Sequence, residues 1–110
     1  MNLEIKHIEE MDKHYLFLTG EIDVYTANKL KDALLPLTEQ EAAEVIVDFS
    51  QVDYIDSIGL GIFIGALKST HKNKSFIKLV GMIDRVRRLF KITGLDEVIS
   101  IEESTREEAK

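Results

Sequence analysis

Val45-Ile46-Val47-Asp48-Phe49 and, after Ser50 to Ile55, Asp56-Ser57-Ile58-Gly59-Leu60-Gly61-Ile62-Phe63-Ile64-Gly65-Ala66-Leu67-Lys68 are the two runs that decide the fold. The first shows no alternation of apolar and polar residues, which is the pattern of a central strand buried on both faces. The second is too long and continuous for one strand. Cap residues open it and the polar stretch Lys68 to Lys74 closes it, so it reads as a helix. A buried strand followed by a helix is the start of a parallel crossover.

Outward from that pair, periodicity marks the remaining elements. Leu3, Ile5 and Ile8 alternate with charged positions, and Tyr15 to Thr19 forms a denser β-type run that ends at Gly20. The two make a hairpin that turns through Glu10 to Lys13. Ala27, Leu30, Ala33, Leu34 and Leu37 recur at three- and four-residue steps, the stripe of an amphipathic helix, with Asp23 or Thr26 as its cap. Phe76 to Val80 is a further strand. Asp84 caps a helix whose Val86, Leu89 and Phe90 face inward until Gly94 stops it, and Ile99 to Ile101 adds a short edge element. The class is α/β: one mixed central β-sheet of four to five strands with helices packed mainly on one face. One domain is expected over residues 1–101, followed by a charged tail over 102–110.

Composition narrows the function. The 110 residues have no cysteine, which removes disulfide scaffolds, cysteine metal sites and thiol chemistry together. A chain of this length buries about 65 per cent of its unfolded surface and needs no metal or cofactor to complete its core. Twenty acidic against 14 basic residues leave a net charge of −6, a field that repels nucleic acid and anionic membranes. No apolar run approaches the length of a membrane span, and the charged, alternating N-terminus lacks the form of a signal peptide, so the cytoplasm is the expected compartment.

Asp56 and Ser57 begin the second helix. Backbone N–H groups there lack intrahelical partners, so the two residues are equally those of a plain capping pair. The next two turns are less ordinary. Ile58, Leu60, Ile62, Phe63 and Ile64 leave almost no polar face in them, and Gly59, Gly61 and Gly65 each cost about 1 kcal/mol in a helix interior. Another backbone must approach closely, either the sheet beneath, which Gly61 and Gly65 on a shared face would suit, or a partner protein. A hydroxyl at the helix start also suits a phosphate, whose charge of about −2 would be tolerated by the fold but not by an apolar surface packed over it.

Gly20-Glu21-Ile22-Asp23-Val24-Tyr25-Thr26-Ala27, Tyr54-Ile55-Asp56-Ser57-Ile58-Gly59-Leu60-Gly61 and Arg88-Leu89-Phe90-Lys91-Ile92-Thr93-Gly94-Leu95 together resemble the STAS-domain anti-sigma factor antagonists of Gram-positive bacteria, over nearly the whole chain and in the same order. The resemblance implies a non-enzymatic antagonist, a monomer when free. It would bind an anti-sigma factor that is also a serine kinase, release a sigma factor, lose that ability on phosphorylation at Ser57, and regain it through a PP2C-type phosphatase. Ile58 departs from the pattern, since many relatives carry serine or threonine there. The implied contact surface takes in Asp23, Tyr25 and Thr26 after the second strand, Asp56 to Gly61, and more weakly Gly81 and Met82, which are expected beside the Asp56 loop because both follow parallel strands. For Asp23, Tyr25 and Thr26, capping plus a half-buried aromatic is the plainer possibility.

Three other readings stand beside this one. A small-ligand or scaffold module of the same fold, as attached to anion transporters or found in stress-sensing assemblies, would need no modification of Ser57. A hydrolase is disfavoured, because Ile55 stands where a nucleophile elbow needs glycine and only His7, His14 and His71 are available as base. Those histidines read as solvated, and without cysteine they form no recognisable metal set. Gly59-Leu60-Gly61 lacks the third glycine and the lysine of nucleotide-binding loops. Arg85, Arg87, Arg88 and Lys91 make the third helix locally basic, most simply as a solvated face.

Overall fold

The computed structural model describes residues 2–103. Strands β1 (Leu3–Glu10), β2 (Lys13–Ile22), β3 (Glu44–Ile55), β4 (Phe76–Val80) and β5 (Ser100–Glu102) form one sheet in the order β1-β2-β3-β4-β5. Among these strands β1 and β2 pair antiparallel, and the other neighbours are parallel. Helices α1 (Ala27–Thr38), α2 (Ser57–Asn73) and α3 (Asp84–Ile92) make the crossovers between successive parallel strands. Each crossover steps the same way across the sheet, and right-handed connections then set the helices on one face. A 3-10 turn at Leu95–Glu97, which periodicity does not predict, leads into β5.

The core lies between that face and the helices. Leu16, Leu18, Val45, Val47, Phe49 and Leu79 of the sheet join Leu30, Leu34, Phe63, Ala66, Val86 and Phe90 of the helices in one buried cluster. Phe49, Phe63 and Phe90 meet with ring centroids 5.3 to 6.2 Å apart and tie β3, α2 and α3 together. Ile46 and Val80 are buried on the opposite face, outside this cluster.

Several boundaries differ from expectation. Ser50 to Ile55 continues β3 instead of ending it. The pairing with β2 shifts register between Phe17 and Thr19 and again between Gly20 and Glu21, so Val52 and Ile55 both turn inward although they are an odd number of residues apart. Helix α2 runs past Lys68 to Asn73, with Lys74 in the left-handed conformation as its stop. Its polar last turns hold because Thr38 Oγ1 donates to Ser69 Oγ (2.8 Å), fastening α2 to α1, and because Asn73 Nδ2 donates to the Ser69 carbonyl (2.9 Å) within α2. Asp84 is the first residue of α3 and makes no side-chain cap; Ile83 stands at the cap position. At the C-terminus Glu102 belongs to β5, and residues 104–110 of the expected tail lie outside the described residues.

His14 is the largest correction. It is 2% exposed, not solvated. Its Nε2 lies 3.0 Å from Gln40 Oε1 and its Nδ1 lies 2.9 Å from His7 Nε2. Burying an imidazole requires partners for both nitrogens, and these two supply them.

Candidate functional site: the surface around Ser57

The Ile22↔Ile55 pair ends the long β2–β3 ladder, and the Asp56 N–H donates to the Ile22 carbonyl (3.2 Å). The loop after β2 and the start of α2 are thereby side by side. In the loop, Asp23 and Thr26 bond reciprocally: the Asp23 N–H donates to Thr26 Oγ1 (2.9 Å) and the Thr26 N–H to Asp23 Oδ1 (3.1 Å). The Tyr25 N–H also donates to Asp23 Oδ1 (2.9 Å), and Thr26 Oγ1 donates to the Glu21 carbonyl (2.8 Å). This has the reciprocal form of a capping box, and it turns the chain into α1 while pushing Tyr25 outward, 80% exposed.

At α2, Asp56 is the N-cap. Its Oδ1 accepts from the backbone N–H groups of Ile58 (3.0 Å) and Gly59 (3.1 Å). Ser57 is the first helical residue, exposed, and its hydroxyl has no hydrogen-bond partner among the described residues. The cap changes one expectation. Because the Asp56 carboxylate already holds two of the first-turn donors, a phosphate on Ser57 would find the helix dipole but few free N–H groups, and would stand in solvent beside a like charge.

The three glycines of α2 separate. A β-carbon on Gly59 would fall 2.6 Å from Ile22 Cγ2 and 2.8 Å from Ile55 Cγ1, whereas one on Gly61 or Gly65 would meet nothing within 4 Å. Gly59 is therefore the residue that lets α2 sit on its own sheet. Gly61 and Gly65, for which the sequence left the sheet beneath and a partner protein as alternatives, point away from the sheet. With Ile58, which is 47% exposed, and Ile62, which is half-buried and packs on the core at the stripe's edge, they form an i, i+3, i+4, i+7 stripe along the helix.

Beside that stripe lies a cleft of about 490 Å³ lined by Glu21, Asp23, Val24, Tyr25, Asp53, Tyr54, Asp56 and Arg85. Four carboxylates face one guanidinium, and three exposed apolar or aromatic side chains, Val24, Tyr25 and Tyr54, stand among them. Val24 and Tyr54 escape sequence reasoning as surface residues, and Arg85, read there most simply as part of a solvated basic face, is not assigned there to this site; an aromatic one position before the last buried residue of a strand is the only trace Tyr54 leaves there. The basic run on α3 is divided: Arg85 reaches the cleft, while Arg87 lies 3.4 Å from Glu103.

Of the residues singled out from sequence, Tyr25, Ser57, Ile58 and Gly61 are exposed and Asp56 is half-buried on this one surface. Asp23, Thr26, Gly59 and Leu60 are buried beneath it and shape it from below. Gly81 and Met82 are not beside Asp56. Strand β4 pairs with β3 only from Glu44 to Asp48, so a β-carbon on Gly81 would lie 3.3 Å from Ser50 Cβ, about 20 Å back along β3, and Met82 is buried in the core.

Comparisons with known proteins agree with this architecture. The STAS domain family model matches residues 2–108. The anti-sigma-B factor antagonist of Listeria monocytogenes is 45% identical over 103 residues, covering 92% of this chain and 90% of that one. The anti-sigma factor antagonist SpoIIAA in its unphosphorylated form superposes with a TM-score of 0.80 at 21% identity, over 96% of this chain and 92% of that one. The phosphorylated form of the Bacillus cell fate determinant SpoIIAA gives 0.74 at 20%, over 96% of each chain. The family model spans residues 2–108, a relative at 45% identity covers nine-tenths of the chain, and the fold is shared with the solved antagonists along nearly its full length: the chain belongs to the STAS domain family.

Proposed function

We propose that the protein is an anti-sigma factor antagonist that docks an anti-sigma factor on the surface around Ser57 and is switched off by phosphorylation there. The observation that carries this is an exposed hydroxyl, without a partner among the described residues, at the head of an apolar stripe of Ile58, Gly61 and Gly65 bordered by half-buried Ile62. The name carried by a relative at 45% identity supports an anti-sigma-B type of partner. Fold neighbours solved with and without phosphate support a switch that leaves the fold in place.

The physical logic is differential burial. Unmodified, the stripe offers apolar area and two glycine backbones to a closely packed partner, with Tyr25 and Tyr54 at its margin and the acidic cleft set to meet basic side chains. A phosphate on Ser57 keeps its hydration in the free protein. In the complex it would be trapped against an apolar contact with Asp56 beside it. A penalty of about 3 to 4 kcal/mol corresponds to a loss of roughly 10²- to 10³-fold in affinity. The partner would itself be the serine kinase, a PP2C-type phosphatase would reverse the modification, and the cycle would run in the cytoplasm.

Catalysis at Ser57 is not part of this reading. His14 lies toward the other end of β2, about 26 Å from Ile22, His7 is level with Leu16, about 20 Å from it, and His71 is about 21 Å along α2, so none of the three imidazoles is in reach as a base. The four carboxylates of the cleft also make it a poor receptor for the anions that a transporter-type module of this fold would take.

The test is incubation with the cognate anti-sigma factor and ATP, with mass spectrometry of the product and calorimetry of the complex. Phosphate should appear at Ser57, Ser57→Ala should bind constitutively and Ser57→Asp weakly. Phosphate at another residue, or equal affinity of the two variants, would refute the switch.

A further inference from the structure

We propose that His7, Glu9 and His14 form a binding site for a divalent transition-metal cation, with Zn²⁺ the ion that the donor set fits best. The three contribute one ligand atom each, all within 4.8 Å of one another. Glu9 and His14 are directly paired across the β1–β2 hairpin, and His7 is two residues before Glu9. Side chains at i and i+2 of one strand and at the facing position of its neighbour point to the same side of a sheet, so a hairpin of this register converges three ligands without distorting the backbone.

Nitrogen–zinc distances of about 2.0 to 2.1 Å put two ligands of a tetrahedral ion about 3.3 Å apart. His7 Nε2 and His14 Nδ1 are 2.9 Å apart and need to open by only a few tenths of an ångström, while the Glu9 carboxylate, within 4.8 Å of them, must close by up to about 1.5 Å; both His7 and Glu9 are exposed side chains that can make these moves. His14 is the fixed member. Its Nε2–H donates to Gln40 Oε1, which sets the tautomer that leaves the Nδ1 lone pair aimed at His7. That is the outer-shell hydrogen bond that metal-ligating histidines characteristically make through their other nitrogen. In the metal-free protein a proton on His7 Nε2 fills the gap between the rings. When the cation takes that place the proton moves to His7 Nδ1, so both imidazoles bind as neutral ligands and no proton is released; the ion's own charge is what the site must balance. Glu9 contributes one negative charge toward the ion's two positive ones, and the fourth position is open to water.

The site stands about 20 to 26 Å from the Ser57 surface and does not depend on its function. The experiment is calorimetric titration of ZnCl₂ into the untagged full chain after chelator treatment, with the visible spectrum of the Co²⁺ form as a geometric check. One equivalent of Zn²⁺ should bind saturably, and the Co²⁺ form should show the strong bands of four-coordination. Glu9→Gln alters an exposed side chain and should weaken binding with the fold intact; His7→Ala removes one of the two partners of buried His14 and should cost some stability, yet the variant, shown by circular dichroism to be folded at the temperature of the titration, should no longer bind. Gln40→Ala should weaken it about 10- to 100-fold. No saturable binding, an unchanged isotherm in His7→Ala, or a weak six-coordinate Co²⁺ spectrum would overturn the proposal.

Discussion

Replacing Gly61 by alanine should stabilise the protein, while the same change two residues earlier should destabilise it. A methyl group on Gly61 meets nothing within 4 Å, so the substitution recovers only the helix propensity that glycine forfeits, about 1 kcal/mol. For a domain of this size that corresponds to a rise in melting midpoint of about 4 to 8 °C. A methyl on Gly59 would stand 2.6 and 2.8 Å from carbons of Ile22 and Ile55, which are 0% and 1% exposed and have no room to withdraw. Overpacking of this kind costs about 1 to 3 kcal/mol, which the propensity gain offsets only in part. Thermal melts of the two variants, run beside the parent, measure the difference directly. The Gly61 variant also carries a functional consequence: if an anti-sigma factor packs against the bare backbone there, an added methyl should weaken the complex by about tenfold. Two midpoints displaced in the same direction would refute the assigned facing of α2, and a stabilised Gly61→Ala that binds its partner at full strength would remove the outer stripe from the contact.

Asp56→Ala should lose about 1 kcal/mol in urea titration, because the N–H groups of Ile58 and Gly59 lose their acceptor, and Asp56→Asn should restore most of it. Ser57→Ala should leave the stability measured by urea within about 0.5 kcal/mol of the parent, since the hydroxyl is exposed and unpartnered; a larger loss would show that it holds the fold. Gly81→Ala should be destabilised by about 1 to 2 kcal/mol, its φ of +77° being hostile to a side chain, yet should bind an anti-sigma factor as the parent does. Weakened binding by that variant at equal folded fraction would return Gly81 to the contact surface.

The parts of the fold legible from sequence are those in which one local pattern decides the outcome. The β1–β2 turn is set by two alternating runs separated by Glu10 to Lys13, and those two residues pair in the structure. The central position of β3 shows in an apolar run without alternation. Features that depend on distant partners are not legible in this way. The bulged register between β2 and β3 removes the period of two from Ser50 to Ile55, so the second half of β3 has no pattern to read. Without that extension Gly81 falls in the wrong place, because strands of unequal length do not end at a common edge. A helix with no polar face gives no phase, which is why Gly59 and not Gly61 is the close-packed glycine. The burial of His14 is hidden for the same kind of reason: Gln40, which makes it tolerable, lies 26 positions away. Asp56 and Ser57 are legible because a cap acts over three residues.

The overhang of β3 beyond β4 has a practical consequence. Strands β2 and β3 run together as a stiff beam, with the hairpin turn at one end and the Ser57 surface at the other. A fluorophore, tether or sensor chip attached near Met11, which is 95% exposed at the turn, would hold the molecule by its handle and leave the opposite end, where docking is proposed, clear of the support.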